Sequence, residues 1–360
     1  MNPTQTPEKT HTPAVPAAKR KRVKCVVWDL DNTLWQGTLL ENDAVRLRPG
    51  VQELVRALDE RGILQSIASR NHPETALVKL REMGLEEYFL FPQINWGSKA
   101  ASIRAITEAL NIGVDSICFI DDEPFELSEV QSLLPEVLCV DQKHIPGLLQ
   151  MPEFAAQTVT PESRMRRHMY LSDIQRRKIE EEFAGPHEEF LATLGMVFTI
   201  SRAAPEDLAR AEELTNRTNQ LNTTGYTFSY EELEELRCSP DHLLLIAELS
   251  DKFGGYGKIG LAVVEMAAGA WTIKLLLMSC RVMSRNVGTV MLNHILGRAQ
   301  QAGVRLLSEF VSNDRNRMMY VTYKFAGFKE VEKRGPVQLL EHPLKSIPPK
   351  PHFVTLKVLD

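Results

Sequence analysis

The run Val26-Val27-Trp28-Asp29-Leu30-Asp31-Asn32-Thr33-Leu34 decides how the rest of the chain is read. Its apolar residues stop abruptly at two aspartates and a threonine, the pattern of a buried strand entering a tight polar turn. Side chains two apart on an extended segment point the same way, so Asp29 and Asp31 can face one pocket at the strand's C-terminal end. Open α/β sheets hold ligands in the crevice outside that end. An aspartate there can attack phosphorus, and a second one two residues on can protonate the leaving oxygen. Two such carboxylates repel, which predicts a divalent cation between them and a substrate phosphate. A polar loop after any strand gives the same dipeptide spacing, so the reading needs further support.

Three segments supply it in order. Ile67-Ala68-Ser69-Arg70-Asn71 ends a second apolar run with a hydroxyl suited to a phosphate oxygen. Lys99, in Asn95-Trp96-Gly97-Ser98-Lys99, is a point cation for phosphorane charge. Ile117-Cys118-Phe119-Ile120-Asp121-Asp122 is a third strand ending in acid, an oxygen ligand for a metal. The ordered set resembles the haloacid dehalogenase (HAD) phosphatase superfamily over roughly residues 23 to 141. That resemblance implies Asp29 as nucleophile and Asp31 as general acid. It implies Ser69, Asn71 and Lys99 on the phosphate side, and magnesium held by Asp29, Asp31 and Asp121.

With 360 residues, 43% of them hydrophobic and 25% charged, the chain has room for two cores. A net charge of −5 gives no global field for nucleic acid or an anionic membrane, and no apolar run is long enough to span a bilayer. The five cysteines (Cys25, Cys118, Cys139, Cys238, Cys280) show neither metal-ligand spacing nor a paired framework, which fits a reducing cytoplasm. Residues 1–22 are rich in Pro and Thr, end in basic residues and lack an apolar signal region, so a disordered leader is expected there.

Within residues 23–142, helices are predicted at about 51–61, 73–83 and 98–110, alternating with the strands. This is the pattern of a doubly wound parallel sheet. Neither interval between motifs is long enough for a separate cap domain, so the site is either open to a large substrate or borrows a lid, which the second half of the chain is expected to supply. Residues 143–187 read as a linker with one long charged helix from Thr160 to Phe183. Arg164, Arg166, Arg167, Arg176, Arg177 and Lys178 are most simply its solvated face; the other reading is that some meet phosphate or an acidic partner.

From 188 to 360 a second α/β unit is predicted. Strand-like runs at 197–200, 243–249, 259–265 and 271–278 lead into Ser279-Cys280-Arg281-Val282-Met283-Ser284-Arg285-Asn286-Val287-Gly288, then a helix. A strand, a basic turn and a helix can seat a pyrophosphate. Arg285 to Gly288, with Asn313, Asn316 and Tyr323, resembles the GNAT acyltransferase fold. This makes Arg281, Arg285, Gly288, Asn313 and Asn316 candidates for the acyl or pantetheine side. The run Asn216 to Thr224 is either a polar substrate wall or a satisfied helix terminus and turn.

The two units together, with Phe253-Gly254-Gly255-Tyr256-Gly257 and Met278-Ser279-Cys280-Arg281-Val282, closely resemble the FkbH family. That resemblance implies a glyceryl transferase and phosphatase of polyketide biosynthesis. It takes D-1,3-bisphosphoglycerate, a small phosphorylated three-carbon acid, removes phosphate and loads glycerate on the phosphopantetheine arm of an acyl carrier protein. The alternative is a magnesium-dependent phosphatase with a separate coenzyme A-dependent N-acetyltransferase domain. A non-catalytic docking scaffold has no need for the carboxylate cluster. Cys280 ends an apolar strand beside Arg281 and near Arg285, so cations favour its thiolate and the following turn can hold an oxyanion. Cys25 is the runner-up for the thioester, although its apolar context suggests a buried thiol.

Overall fold

The computed structural model describes residues 22–41, 44–155 and 159–359; the leader expected at 1–22 lies outside these but for Arg22. Strand β1 (Cys25–Trp28) is wholly buried. A tight loop follows it, and a small hairpin of β2 (Trp35–Gln36) with β3 (Arg46–Leu47) comes next. Then come β4 (Leu64–Ser69), β5 (Gln93–Ile94), β6 (Ile117–Asp121) and β7 (Leu138–Asp141). The five long-range strands form one parallel sheet in the order β5-β4-β1-β6-β7.

Helices cover both faces of this sheet. Helix α1 (Val51–Glu60) buries Val51, Leu54, Val55 and Leu58, a stripe at i, i+3, i+4 and i+7. It and α2 (Pro73–Glu82) pack on the face carrying Val26 and Trp28. Helices α3 (Lys99–Leu110) and α4 (Pro124–Leu133) cover the face carrying Cys25 and Val27. Alternation along β1 thus feeds two cores, and each fully buried aliphatic side chain contributes about 1.5–3 kcal/mol. The doubly wound sheet is as the sequence predicts. Its core runs past residue 142, however. Ile145, Leu148 and Phe154 pack with Trp28, and the Val23 N–H donates to the Glu153 carbonyl at 3.0 Å. The His144-Ile145-Pro146-Gly147 break in pattern is a run of tight turns, not a boundary.

The second unit is an eight-stranded sheet of β8 (Met196–Arg202), β9 (His242–Asp251), β10 (Gly254–Ala267), β11 (Ala270–Met278), β12 (Arg305–Val311), β13 (Lys329–Arg334), β14 (Val337–His342) and β15 (Val354–Leu359). Its order is β13-β14-β12-β11-β10-β9-β8-β15, antiparallel except at β11/β12 and β15/β8. Helices on both faces make this a mixed α/β domain. The connector contributes α5 (Pro161–Arg164), α6 (Arg166–Glu182) and α7 (His187–Thr193). The sheet carries α8 (Leu208–Arg217), α9 (Tyr230–Cys238), α10 (Gly288–Gln301) and α11 (Arg317–Ala326).

Strands β11 and β12 pair only from Ala270↔Arg305 to Ile273↔Ser308, then part. The chain itself fills the gap. Thr223 donates its N–H to Leu276 O and accepts from the Leu276 and Val311 N–H groups, while Leu221 O accepts from Met278 N. Asn316, fully buried, donates to Asn222 O (3.1 Å) and Val311 O (2.8 Å) and locks this insert. Of the two readings of the 216–224 run, the structure makes it a satisfied structural segment over Leu221–Thr224.

Helix α6 wedges the halves together; Arg177 and Lys178, with Arg164 before it, are exposed as expected, but Arg166, Arg167 and Arg176 are buried. Arg167 is buried and donates to Asp59 (3.0 Å) and Glu87 of the first unit. Arg176 is buried, bidentate to Asp251 (2.7 and 2.8 Å) and also bonded to Asp173. Arg166 pairs with Glu213. A charge-rich helix reads as exposed when its acidic partners lie far off in sequence, here 108, 75 and 47 residues away. Gly62 admits the connector closely: at φ +66°, a Cβ there would meet Ser163 O at 2.7 Å.

The same contacts overturn the expected lid. Tyr170 donates to Leu110 O, Arg177 to Ala109 O, Lys24 to Arg217 O, and Arg315 to Asp115. Lys24 and Asp115 stand before β1 and β6, and Ala109 and Leu110 end α3, all at the N-terminal edge of the parallel strands. The second domain therefore docks on the sheet edge opposite Asp29, and the Asp29 crevice is left open.

Candidate active site

Asp29 ends β1 with extended backbone (φ −74°, ψ 165°), and Asp31 is extended too (φ −64°, ψ 132°), which sets both carboxylates toward one crevice. Asn32 then turns the chain with φ 52°, a conformation asparagine tolerates, and exchanges hydrogen bonds with Gly37. Lys99, at the start of α3, is buried and bridges Asp29 and Asp121, the latter at 3.0 Å. Ser69 is buried at the end of β4 and its side chain hydrogen-bonds Asp29.

Burial pushes the Asp29 carboxyl up to about 7, with Lys99 opposing and Asp121 adding to the rise. Asp121 is raised in the same way, first by burial. Carboxylate oxygens of Asp29, Asp121 and Asp122 lie within 4.8 Å of one another. Three acids facing one lysine leave excess negative charge and an oxygen-only donor set, which fits a hard divalent cation such as magnesium. These three residues would hold it, and it would supply positive charge to phosphoryl oxygens.

Two expectations change here. Asp31, expected among the metal ligands, does not join that cluster. Its Oδ1 accepts from Trp35 Nε1 (2.7 Å) and the Leu39 N–H (3.1 Å), and its Oδ2 from Asn71 Nδ2 (3.1 Å). That cradle fixes the Asp31 carboxylate two residues from Asp29. Asn71, expected to bind phosphate, is fully buried and orients Asp31 instead. Asp122, which the sequence placed in the motif without a role, is the third acid; Thr33 donates to it at 3.1 Å.

Cys280 lies at the other edge of the sheet, in the cleft between the domains. From Lys24, which lines that cleft, to Asp29 is five residues of extended chain, about 16 Å. Backbone N–H groups of Gln220, Leu221 and Cys280 itself lie near the sulfur and favour its anion. The anion-holding amides thus come mainly from the strand-gap insert, not from the turn after the cysteine. Burial nonetheless raises the Cys280 thiol above its ordinary value; Lys24 and the amides oppose this without overcoming it. The expected thiolate-favouring cations are otherwise engaged. Arg281 donates to Tyr256 O (2.9 Å) and contacts Met169 Sδ, and buried Arg285 pairs with Glu180 of α6 (3.2 Å). Gly288 opens α10, Asn313 holds the turn before α11 through its side-chain oxygen, and fully buried Asn316 is spent on that turn and the insert. Cys25 is fully buried in β1 and its thiol is pushed far up by burial, which makes it inert.

No protein-family model and no curated protein matches the chain. Among solved structures, the N-terminal phosphatase-containing part of a Bacteroides fragilis protein, complexed with magnesium, aligns with 28% identity and a TM-score of 0.35. The alignment covers 39% of this chain and 42% of that one, so less than half of that protein's length is matched. A ribosomal-protein alanine N-acetyltransferase from Escherichia coli aligns over 42% of this chain and 97% of its own, at 16% identity and a TM-score of 0.34. The PaiA N-acetyltransferase of Thermoplasma acidophilum, in complex with coenzyme A, covers 40% and 98% at 18% identity and 0.33. At such scores, the reading of each domain rests on its own topology and side chains. No helix among the described residues is long and apolar enough to cross a membrane.

Proposed function

We propose that the chain is a two-site enzyme: a magnesium-dependent phosphatase of HAD type and an acyl transferase working through Cys280. The substrate on this reading is D-1,3-bisphosphoglycerate and the acceptor is the phosphopantetheine thiol of an acyl carrier protein, as in the FkbH family. The observation that carries it is the placing of Cys280. Unlike the fully buried Cys25 and Cys118, it lines a cavity built from both domains, with three backbone amides near its sulfur.

An acyl phosphate is a mixed anhydride, so transfer needs no other energy source. The Cys280 sulfur attacks the acyl carbon, the S–C bond forms, and the C–O bond to phosphate breaks with its electron pair leaving on phosphate. The carrier thiol then takes the acyl group and returns the Cys280 thiol. The second phosphate is an ester. At the far edge Asp29 attacks phosphorus, the P–O ester bond breaks, and Asp31 gives a proton to the departing oxygen. Water afterwards hydrolyses the aspartyl phosphate. Separation of the sites means that a three-carbon acid cannot occupy both at once. The two phosphates leave in separate binding events.

The alternative, an N-acetyltransferase using coenzyme A, needs free cations at the loop before α10 and room at the strand gap. Arg281 and Arg285 are held by other partners, and Leu221–Thr224 fills the gap. The test is to incubate the protein with bisphosphoglycerate, magnesium and a phosphopantetheinylated carrier protein, and to weigh the carrier. A mass gain of one glyceryl unit is expected. Acetyl-CoA turnover on an amine, with the carrier unchanged, would overturn the proposal.

A further inference from the structure

The cavity of about 260 Å3 between the domains is lined by Lys24, Arg166, Arg210, Arg217, Arg281 and Arg315, with Cys280 in its wall. Its cations come from the start of β1, the connector and three separate parts of the second domain. Their compensation is sparse. Glu213 serves Arg166, Arg210 and Arg217 together, the last at 3.8 Å, and Asp115 serves Arg315. Lys24 and Arg281 hydrogen-bond only neutral partners, the Arg217 carbonyl at 3.1 Å, and the Tyr256 carbonyl with the Met169 sulfur; Asp115 and Asp173 act on them from farther off.

Crowding of buried cations has a cost that folding alone does not explain. Burial, then Arg166, lowers Arg217 to about 9. Burial, then Arg210 and Arg166, lowers Arg281 to about 10, and burial with Arg217 lowers Lys24 to about 8. Positive charge in excess inside a cleft is stabilised by an anion, and guanidinium forks match phosphate oxygens. Cys280 also lines a larger adjoining cavity of about 710 Å3, whose wall mixes Arg177, Arg281 and Arg285 with Glu108, Asp173, Glu180 and Glu181. That side does not select an anion. The two sides of the sulfur thus differ in charge.

We infer that the small basic chamber binds the phosphate end of a phosphorylated acid, beside the Cys280 sulfur, and that the larger cavity admits the acceptor. This rests on the acyl-transfer reading for its use, but the anion site itself is measurable without turnover. It is separate from the phosphate site at Asp29, being at the opposite sheet edge.

The experiment is alkylation of the full chain by iodoacetamide, read by peptide mass at Cys280 and at exposed Cys238 as internal reference. Inorganic phosphate is compared with chloride at equal ionic strength. Phosphate should slow Cys280 several-fold and leave Cys238 unchanged. Arg217→Gln and Lys24→Met should each weaken protection about tenfold in phosphate concentration, the scale of one charge-assisted contact. Because each substitution relieves repulsion, neither should lower the thermal midpoint, which separates lost binding from lost folding. Protection no greater than chloride's, or undiminished in both variants, overturns the chamber. Protection without any acyl adduct from an acyl phosphate would leave the chamber standing and remove the thioester. An adduct on Cys280 without protection would do the reverse.

Discussion

The two edges of the parallel sheet are electrostatic opposites. At the C-terminal edge Asp29, Asp121 and Asp122 surround one buried lysine, and the excess charge is negative. At the N-terminal edge Arg166, Arg210 and Arg217 share one buried glutamate, with Lys24 and Arg281 lining the same cavity, and the excess is positive. The arginines hold the Glu213 carboxyl far below the usual range despite its burial, whereas burial drives Asp29 upward despite its lysine. Each cluster is unbalanced in the sense that a missing species corrects: a cation at one edge, an anion at the other. Such imbalance is expensive in a core and is what a binding site looks like before its ligand arrives.

The strongest way to break the comparison is Asp29→Asn. Phosphate release from an ester should fall by several powers of ten, about 4–8 kcal/mol of barrier, and chelating magnesium should act alike. Acylation of Cys280 should survive both treatments, since that chemistry lies at the other edge. Loss of acylation together with hydrolysis would mean one site, not two.

A structural prediction follows in size. Arg176→Ala strands Asp251, whose side chain is fully buried, and removes the bond to Asp173. Breaking such a pair costs about 3–5 kcal/mol. Denaturant unfolding should show that loss, with the phosphatase core of the first unit the more persistent part by fluorescence. An unchanged midpoint would mean that α6 does not hold the second domain as described.

How legible each edge was in the sequence differs for a physical reason. The acidic edge is built by local motifs, each a strand end: Asp29, Ser69 and Asp121 follow runs of buried residues, so their common position could be read directly. What the motifs missed was side-chain direction. Asp31 and Asn71 face each other, and Asp122 instead joins the metal set. The basic edge brings together residues 24, 166, 210, 217, 280, 281 and 315, which share no spacing. Only the docking of two sheets through α6 assembles them. The arginines of α6 looked solvated because the helix carries its own acids at i±3 and i±4, such as Asp173 and Glu180, while the distant partners Asp59, Glu213 and Asp251 share no spacing with it. The lid failed similarly: its absence from the first unit was visible, but the edge on which the second domain would sit was not. The Asn216–Thr224 run carried the one available hint. Its dense polar residues signalled backbone bonding, and they supply amides that lie near Cys280.

The smallest effect sharpens the basic edge. Burial raises the Cys280 thiol, with Lys24 opposing, so the thiolate fraction is low at neutral pH and still rising above the ordinary thiol value. The alkylation rate of Cys280 should therefore still be climbing with pH at pH 8.5, without a plateau. Lys24→Met removes the opposing charge and should slow the reaction a few-fold at pH 8. A plateau below pH 7.5 would show that the cleft stabilises the thiolate already, and that burial does not dominate.

The central claim, that acyl transfer runs through the cleft and not through the phosphatase edge, is tested most directly by locating the acyl group. The protein is incubated with bisphosphoglycerate and magnesium without a carrier, quenched in acid, digested and mapped for a hydroxylamine-labile adduct. The account predicts an adduct on the Cys280 peptide in the wild type and in Asp29→Asn, and none in Cys280→Ala. An adduct that persists in Cys280→Ala, or that maps to Cys25, contradicts it.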